Sequence, residues 1–298
     1  MSRRQSSSLS KLKQYRKRSR FGEIFYRIRQ NKGAVVGLII ICVIVLTFFA
    51  SLTISYESIT AMSVPDMYAA PSWEMPFGAD DMGRNLFLRV VYGTRYSLAI
   101  GLGAVLIGLT IGLILGCFAG YYGGVYDNII MRVCDVMSSI PGLLFSMVIM
   151  TALGQNLVNL IFALGITTAP MYARIARASM LSVRSEEFVE AARSIGFNNL
   201  RIIFTEVLPN GMAPIIITVT TSLGMSILAA AGLSFIGFGV PPPHPEWGGL
   251  VASGRNLTRT APWVTLFPGL VIMITVLAFS ILGDGLRDAL DPKLKGRR

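Results

Sequence analysis

The chain has 298 residues, 53% hydrophobic and only 14% charged, with a mean hydropathy of +0.60. A soluble domain carries about 25% charged residues, so this composition excludes an ordinary soluble enzyme and indicates an all-α integral membrane protein. The net charge of +11 is concentrated at the ends: residues 1–32 and 284–298 together hold sixteen of the 27 Lys and Arg. Basic ends beside apolar spans follow the positive-inside pattern and argue against a nucleic-acid partner.

Residues 1–32 form a basic, initially Ser-rich segment whose start is expected to lack fixed structure. Phe21 to Arg29 fits a short amphipathic helix on the membrane surface, with Phe21, Ile24, Phe25 and Ile28 on one side. Residues 33–54 are uncharged and long enough to span, since about 20 apolar residues suffice. The run exceeds a signal-peptide core, so a retained span with a cytoplasmic N-terminus is expected.

Residues 55–94 read as an external, turn-rich cap containing Pro65, Pro71 and Pro76. In it, Asp80, Gly83 and Arg84 suggest a turn closed by an Asp/Arg pair, read as a structural ion pair in preference to a substrate contact. The five-helix core, 95–284, begins with a span from Tyr96 to Ala119. Gly108, Gly112, Gly116 and Gly120 recur every four residues, on one face where a neighbouring backbone can approach. Residues 136–173 lack any charge and are too long for one span, so a break is expected at Gly154, Gln155 and Asn156. This divides the run into spans near 129–152 and 157–178. Pro141 and Pro170 are candidate kinks, and Arg174 and Arg177 mark a cytoplasmic end.

The longest polar insert runs from 184 to 211 and reads as two short helices. Ser185 is the expected N-cap, with Glu186 and Glu187 in the first turn. Phe188, Ala191, Ala192 and Ile195 form an apolar stripe, and Gly196 is the expected C-cap. Asn198 or Asn199 restarts the chain; Leu200, Ile203, Phe204 and Val207 make a second stripe that Pro209 ends. Such faces need a partner protein or the membrane interface. A fifth span follows at 214–239, where Thr218, Thr220, Thr221 and Ser222 either line a polar path or, as their chemistry favours, bond their own helix. An external loop and a sixth span at 261–283 lead to a basic cytoplasmic tail, 285–298. Six spans place both basic termini on one side, and Trp73, Trp247 and Trp263 fall outside or at the outer interface.

No phosphate loop of the Gly-x-x-x-x-Gly-Lys-Ser/Thr type occurs, so the chain is not expected to bind or hydrolyse ATP by itself. Cys42, Cys117 and Cys134 lie in or beside apolar runs without metal-ligand spacing, and His244 is the single histidine. No metal site, cofactor or catalytic residue is expected. The near absence of ionisable residues at the span centres argues against a proton- or ion-driven carrier, the main rival reading, with a scaffold behind it. Energy then enters from a partner.

Glu190-Ala191-Ala192, Gly196 and Leu208-Pro209 together resemble the EAA loop of ABC-importer permeases. Glu206 departs from that pattern, which has isoleucine there. Phe77-Gly78-Ala79-Asp80-Asp81-Met82-Gly83-Arg84-Asn85, the GYYGG turn at 120–124, Phe235 to Gly239, Pro242-Pro243, Trp247-Gly248, Ala261-Pro262-Trp263 and Leu282 to Asp288 are similar to the dipeptide, oligopeptide and nickel group, in its C-type subunit. The resemblance implies a type I importer fold with six transmembrane helices and a cytoplasmic coupling loop. It implies two ATP-binding subunits, a second homologous permease and an extracytoplasmic solute-binding protein, in the cytoplasmic (inner) membrane. It gives Glu190 a polar contact to the ATPase, Ala191 and Ala192 close packing, and Gly196 the turn. The substrate it implies is a di- or oligopeptide, with nickel or a metallophore as the alternative.

Overall fold

A computed structural model describes residues 20–290. The expected unstructured start and the end of the basic tail lie outside these residues, as do the side chains of Phe21 and Ile24. The described residues form helices α1 (Arg20–Gln30), α2 (Lys32–Ser51), α3 (Tyr56–Thr60), α4 (Leu86–Tyr122), α5 (Gly124–Ser139), α6 (Gly142–Leu153), α7 (Leu157–Val183) and α8 (Glu187–Ser194). Asn199–Arg201, a π-helical stretch Ile202–Val207 and Leu208–Asn210 run on as α9, followed by α10 (Met212–Phe235), α11 (Trp247–Ser253) and α12 (Trp263–Leu290).

Five helices, α2, α4, α7, α10 and α12, are long and apolar enough to cross a membrane. The third expected span is not one straight helix. α5 and α6 meet at 89°, and taken as one broken span they bring the crossings to six. The break falls at Pro141, whose predecessor Ile140 is extended (φ −92, ψ 128), the conformation a following proline imposes. Pro170, by contrast, is accommodated inside α7. α4 starts at Leu86, where Asn85 caps it by accepting the Leu88 amide at 3.2 Å. The end of the expected external segment is therefore the first turns of a 37-residue helix.

Hydrogen bonds fix which helix ends share a face. Asn31, before α2, donates to Asp288 of α12 at 3.1 Å, so the start and end of the described chain lie together on one face, here the terminal face. Arg95 of α4 caps the far end of α2, bonding Ser51 through its carbonyl and, at 2.9 Å, its hydroxyl. α4 thus begins on the opposite face and ends on the terminal one.

The centre of the fold is the contact of α4 with α7. A methyl group added at Gly108 would stand 2.9 Å from the Gly165 carbonyl oxygen; at Gly112, 2.6 Å from that of Ala169; at Gly120, 2.7 Å from that of Arg177. At Gly116 it would meet Ala176 Cβ at 2.6 Å. All four glycines are buried against α7, where an added Cβ would run into backbone carbonyls and the first side-chain atoms of Thr168, Tyr172, Ala176 and Met180, so the two helices approach closely only because α4 carries no side chain at these positions. Dispersion between close-packed backbones holds such pairs in lipid, where the hydrophobic effect between helices is absent. On α10, the hydroxyls of Thr218, Thr220 and Thr221 donate to the carbonyls of Pro214, Ile216 and Thr218 at 2.9, 3.0 and 3.1 Å, so they serve their own helix.

Candidate functional site at the terminal face

The segment between α7 and α10 is built from two helices with opposed surfaces. α8 begins at Glu187. Glu186, one residue later than expected, occupies the extended N-cap position without a side-chain cap bond, while Glu187 and Glu190 stand in the first turn against the helix dipole. The helix closes at Gly196, whose φ of +87° is the left-handed conformation that costs a side chain energy. The Phe197 amide reaches back to the Ala192 carbonyl at 3.2 Å and the Gly196 amide to Arg193 at 3.0 Å, satisfying two carbonyls of the last turn of α8. Asn198 then caps α9 by accepting the Arg201 amide at 2.8 Å, and the Arg201 guanidinium stacks 3.8 Å from the centre of the Phe197 ring.

Pro209 does not end this second helix. It sits within Leu208–Asn210, after the wide turn in which the Leu208 amide bonds Ile203, five residues back. A proline lacks the amide donor and its ring crowds the carbonyl four residues before it, which a wide turn relieves. The chain turns into α10 at Gly211, buried against Ser179 of α7.

Inward, Val189 and Ala192 of α8 and Ile202, Ile203 and Val207 of α9 pack with Cys117, Tyr121 and Met180 from the ends of α4 and α7. Arg184 donates to the carbonyls of Gly120 at 2.9 Å and Tyr121 at 3.3 Å, and the Tyr121 hydroxyl to Asn199 at 3.0 Å. The 184–211 segment is therefore bolted to the end of the glycine-packed pair. Outward, Phe188 (41% exposed), Ile195 (72%), Leu200 (51%) and Phe204 (54%) stand in the open with Ala191 and Glu190. The expected stripes are thus each divided. Ala192 turns in while Phe188, Ala191 and Ile195 turn out; Ile203 and Val207 turn in while Leu200 and Phe204 turn out. α8 is apolar on two sides, and only its neighbours decide which side is covered. Leu208 is half-buried against the inner cluster and Pro209 is exposed. Val189 and Ile202, overlooked by the stripe argument, complete the inner face.

The adjoining charges are paired. Arg177 of α7 grips Asp127 of α5 with two hydrogen bonds, one of 2.6 Å, and Arg174 stands 3.6 Å from Asp135. These pairs tie the oblique α5 to α7.

On the opposite face the expected Asp80–Arg84 pair is present, with Arg84 Nε donating to Asp80 Oδ2 at 2.8 Å. Asp80 is buried, and its Oδ1 accepts the amides of Met82 at 2.9 Å and Arg84 at 3.0 Å. Gly83 (φ +70°) makes the turn between them and lies against the Ser63 backbone. A second cation, Arg89, also bonds Asp80; nine residues separate them in sequence, and no motif signals the contact. Nearby Glu246 is buried and accepts the amides of Gly248 and Gly249 and the hydroxyl of Ser234, each at 2.8 Å. Trp247 is a buried wedge, not an interface ring: its Nε1–H donates to the Val90 carbonyl at 2.9 Å.

Comparison with known proteins bears on this two-ended arrangement. Residues 108–296 match the family described as binding-protein-dependent transport system inner membrane component, and residues 19–71 match the N-terminal TM domain of oligopeptide transport permease C. The chain is 43% identical over 282 residues to the dipeptide transport system permease protein DppC of Alkalihalophilus pseudofirmus, covering 95% of this chain and 93% of that protein. It is 44% identical over 268 residues to the glutathione transport system permease protein GsiD of Shigella flexneri serotype 5b, covering 90% and 88%. Among solved structures, an inward-facing MetNI methionine ABC transporter chain shares the fold with a TM-score of 0.57 at 19% identity, over 69% of this chain and 98% of that one.

Proposed function

The chain belongs to the binding-protein-dependent transport system inner membrane components, and from that premise we propose that it is the C-type permease subunit of an ATP-driven importer of short peptides, energised through the segment 184–211. The observation that carries this reading is the two-sided coupling segment. Its inner face is fastened to α4 and α7, and its outer face exposes four large apolar side chains around Glu190. A partner that clamps the outer face moves the ends of α4 and α7 with it, because the inner face leaves no slack.

In this reading two ATP-binding subunits close on ATP and draw on the coupling helices of this chain and of a second homologous permease. The pair then opens toward an extracytoplasmic solute-binding protein, and hydrolysis resets it. A partner shifts such an equilibrium only by its differential affinity for the two states. Ala191, exposed beside Phe188, is the close-packing contact to the ATPase, and Glu190 the polar one. Ala192 packs inward, so its role is to seat α8. The terminal face is cytoplasmic, in keeping with the basic segments, and the protein resides in the inner membrane. The names of the relatives, dipeptide and glutathione permeases, favour peptides over nickel or a metallophore. A binding-protein-dependent family also speaks against a carrier that works alone.

The test is a pull-down of the tagged protein in mild detergent followed by an ATPase assay on what accompanies it. Copurified ATPase activity that drives peptide uptake in proteoliposomes is expected. Gly196→Trp should leave the protein in the membrane yet break the link between hydrolysis and uptake, because the +87° turn is strained with any side chain while no neighbour lies within 4 Å to unfold the core. Uptake by the chain alone, without ATP, would sink the reading.

A further inference from the structure

We propose that the outer side of α2 and the adjoining end of α1 bind an anionic phospholipid, its headgroup held by Arg29 and Lys32 and an acyl chain laid along α2. The proposal is independent of the substrate and of the ATPase partners. Val36, Ile39, Val43 and Leu46 are each more than half exposed. With Lys32 they recur at alternating four- and three-residue steps, so all five share one stripe of the helix. The opposite side of α2 is taken: Ala34 and Gly37 are buried against α12, the helix that carries Asp284 and Asp288. α2 has 20 residues, about 30 Å at 1.5 Å per residue, which is the thickness of the hydrocarbon core. Lys32, its first residue, therefore stands at headgroup level, directly above the exposed apolar stripe.

The second observation comes from α1. Phe25 is 61% exposed, and Arg29, one turn later on the same edge, is exposed as well, while Ile28 turns partly toward the body of the protein. An aromatic ring followed by a cation on one edge is the pattern of a helix lying in the interface, the ring at the acyl boundary and the charged head at the phosphates. Arg29 and Lys32 lie three residues apart, and neither forms an ion pair with a described residue. Within residues 1–32, eleven Lys and Arg stand against one carboxylate, Glu23. A basic cluster of this kind immediately beside a span attracts anionic lipid, each cation near the surface adding to the attraction. A zwitterionic headgroup already carries its own ammonium and answers two unpaired cations poorly. The apolar stripe below Lys32 calls for a chain, which a phospholipid has and a free phosphate lacks.

The experiment titrates the assembled transporter in detergent with phosphatidylglycerol and with phosphatidylcholine of the same acyl chains, and counts bound lipid by native mass spectrometry. Tighter binding of phosphatidylglycerol is expected. Arg29→Gln and Lys32→Gln alter exposed residues outside the packed core, and each should weaken the tightest phosphatidylglycerol adduct about fivefold, the weight of one cation at an anionic surface, with phosphatidylcholine unchanged. Arg193→Gln removes the same charge from an exposed position on α8 and should change nothing, which separates a built site from net charge. Soluble glycerol 3-phosphate should not compete. Equal affinity for the two lipids, or selectivity that survives the double variant Arg29→Gln/Lys32→Gln, would overturn the proposal. An equal loss in Arg193→Gln would overturn it in favour of diffuse attraction, and competition by glycerol 3-phosphate in favour of a free-phosphate site. Crosslinking of Ile39→Cys to the second permease, with no lipid effect, would overturn it too and assign this side of α2 to subunit packing. Loss of lipid selectivity in a transporter that still couples ATP to peptide uptake would remove this site and leave the importer reading intact.

Discussion

The two ends of α4 treat charge and apolar surface in opposite ways. At the opposite face, Asp80, Arg84, Arg89 and Glu246 are buried and paired or capped, and the tryptophan beside them is sealed inside. At the terminal face Glu190 is exposed, and Phe188, Ile195, Leu200 and Phe204 are left uncovered. One end is finished within the chain, and the other is not. A buried ion pair broken on one side is costly, so the first end resists change. An exposed apolar face gains its stabilisation only when a partner covers it, so the second end is poised for assembly. Between them, the glycine contact of α4 with α7 makes the two ends parts of one body.

The strongest way to break the comparison is to separate the ends. Gly112→Leu forces a side chain into the Ala169 backbone, 2.6 Å from where even a methyl would sit. Overpacking with no room to yield costs upwards of about 3 kcal/mol, and the expected outcome is loss of monodisperse protein on detergent size exclusion. Next, Asp80→Ala strands Arg84 and Arg89 in a buried setting, for a destabilisation of about 3–5 kcal/mol. It should lower the thermal midpoint while leaving any surviving folded protein able to bind its ATPase; an unchanged midpoint would show that the bracket is not structural. Phe204→Ala inverts the pattern. The midpoint should hold, while ATPase copurification weakens by about 2 kcal/mol, or some thirtyfold, as for a central aromatic anchor. The smallest effect is expected for Glu190→Gln: no shift in midpoint, and a loss of ATPase binding that shrinks as salt rises, since exposed charges are screened beyond about 8 Å at physiological ionic strength. Salt-independent loss would mean the contact is desolvated.

Much of this molecule is legible from its residues alone. The four glycines lie on one face at their spacing whatever packs against them, so a close helix contact follows before its partner is known. Uncharged runs of sufficient length must cross the bilayer as helices because no other structure satisfies the backbone there. Gly196 announces its turn because few residues tolerate a left-handed backbone, and Asp80–Arg84 lies within one tight loop. These are local constraints, set by backbone geometry and solvent over a few neighbouring residues.

What the tertiary structure alone decides is which surface is covered. Val189 and Phe188 are adjacent and both apolar, and they part only because Tyr121 and Met180 stand on one side of α8 while no described residue covers the other. Arg89 reaches Asp80 because the 55–85 segment folds back over the start of α4, and Pro141 bends α5 from α6 by 89° while Pro170 is absorbed by α7. Burial is a property of the space around a side chain, filled by segments distant in sequence, whereas helical spacing is a property of the chain itself.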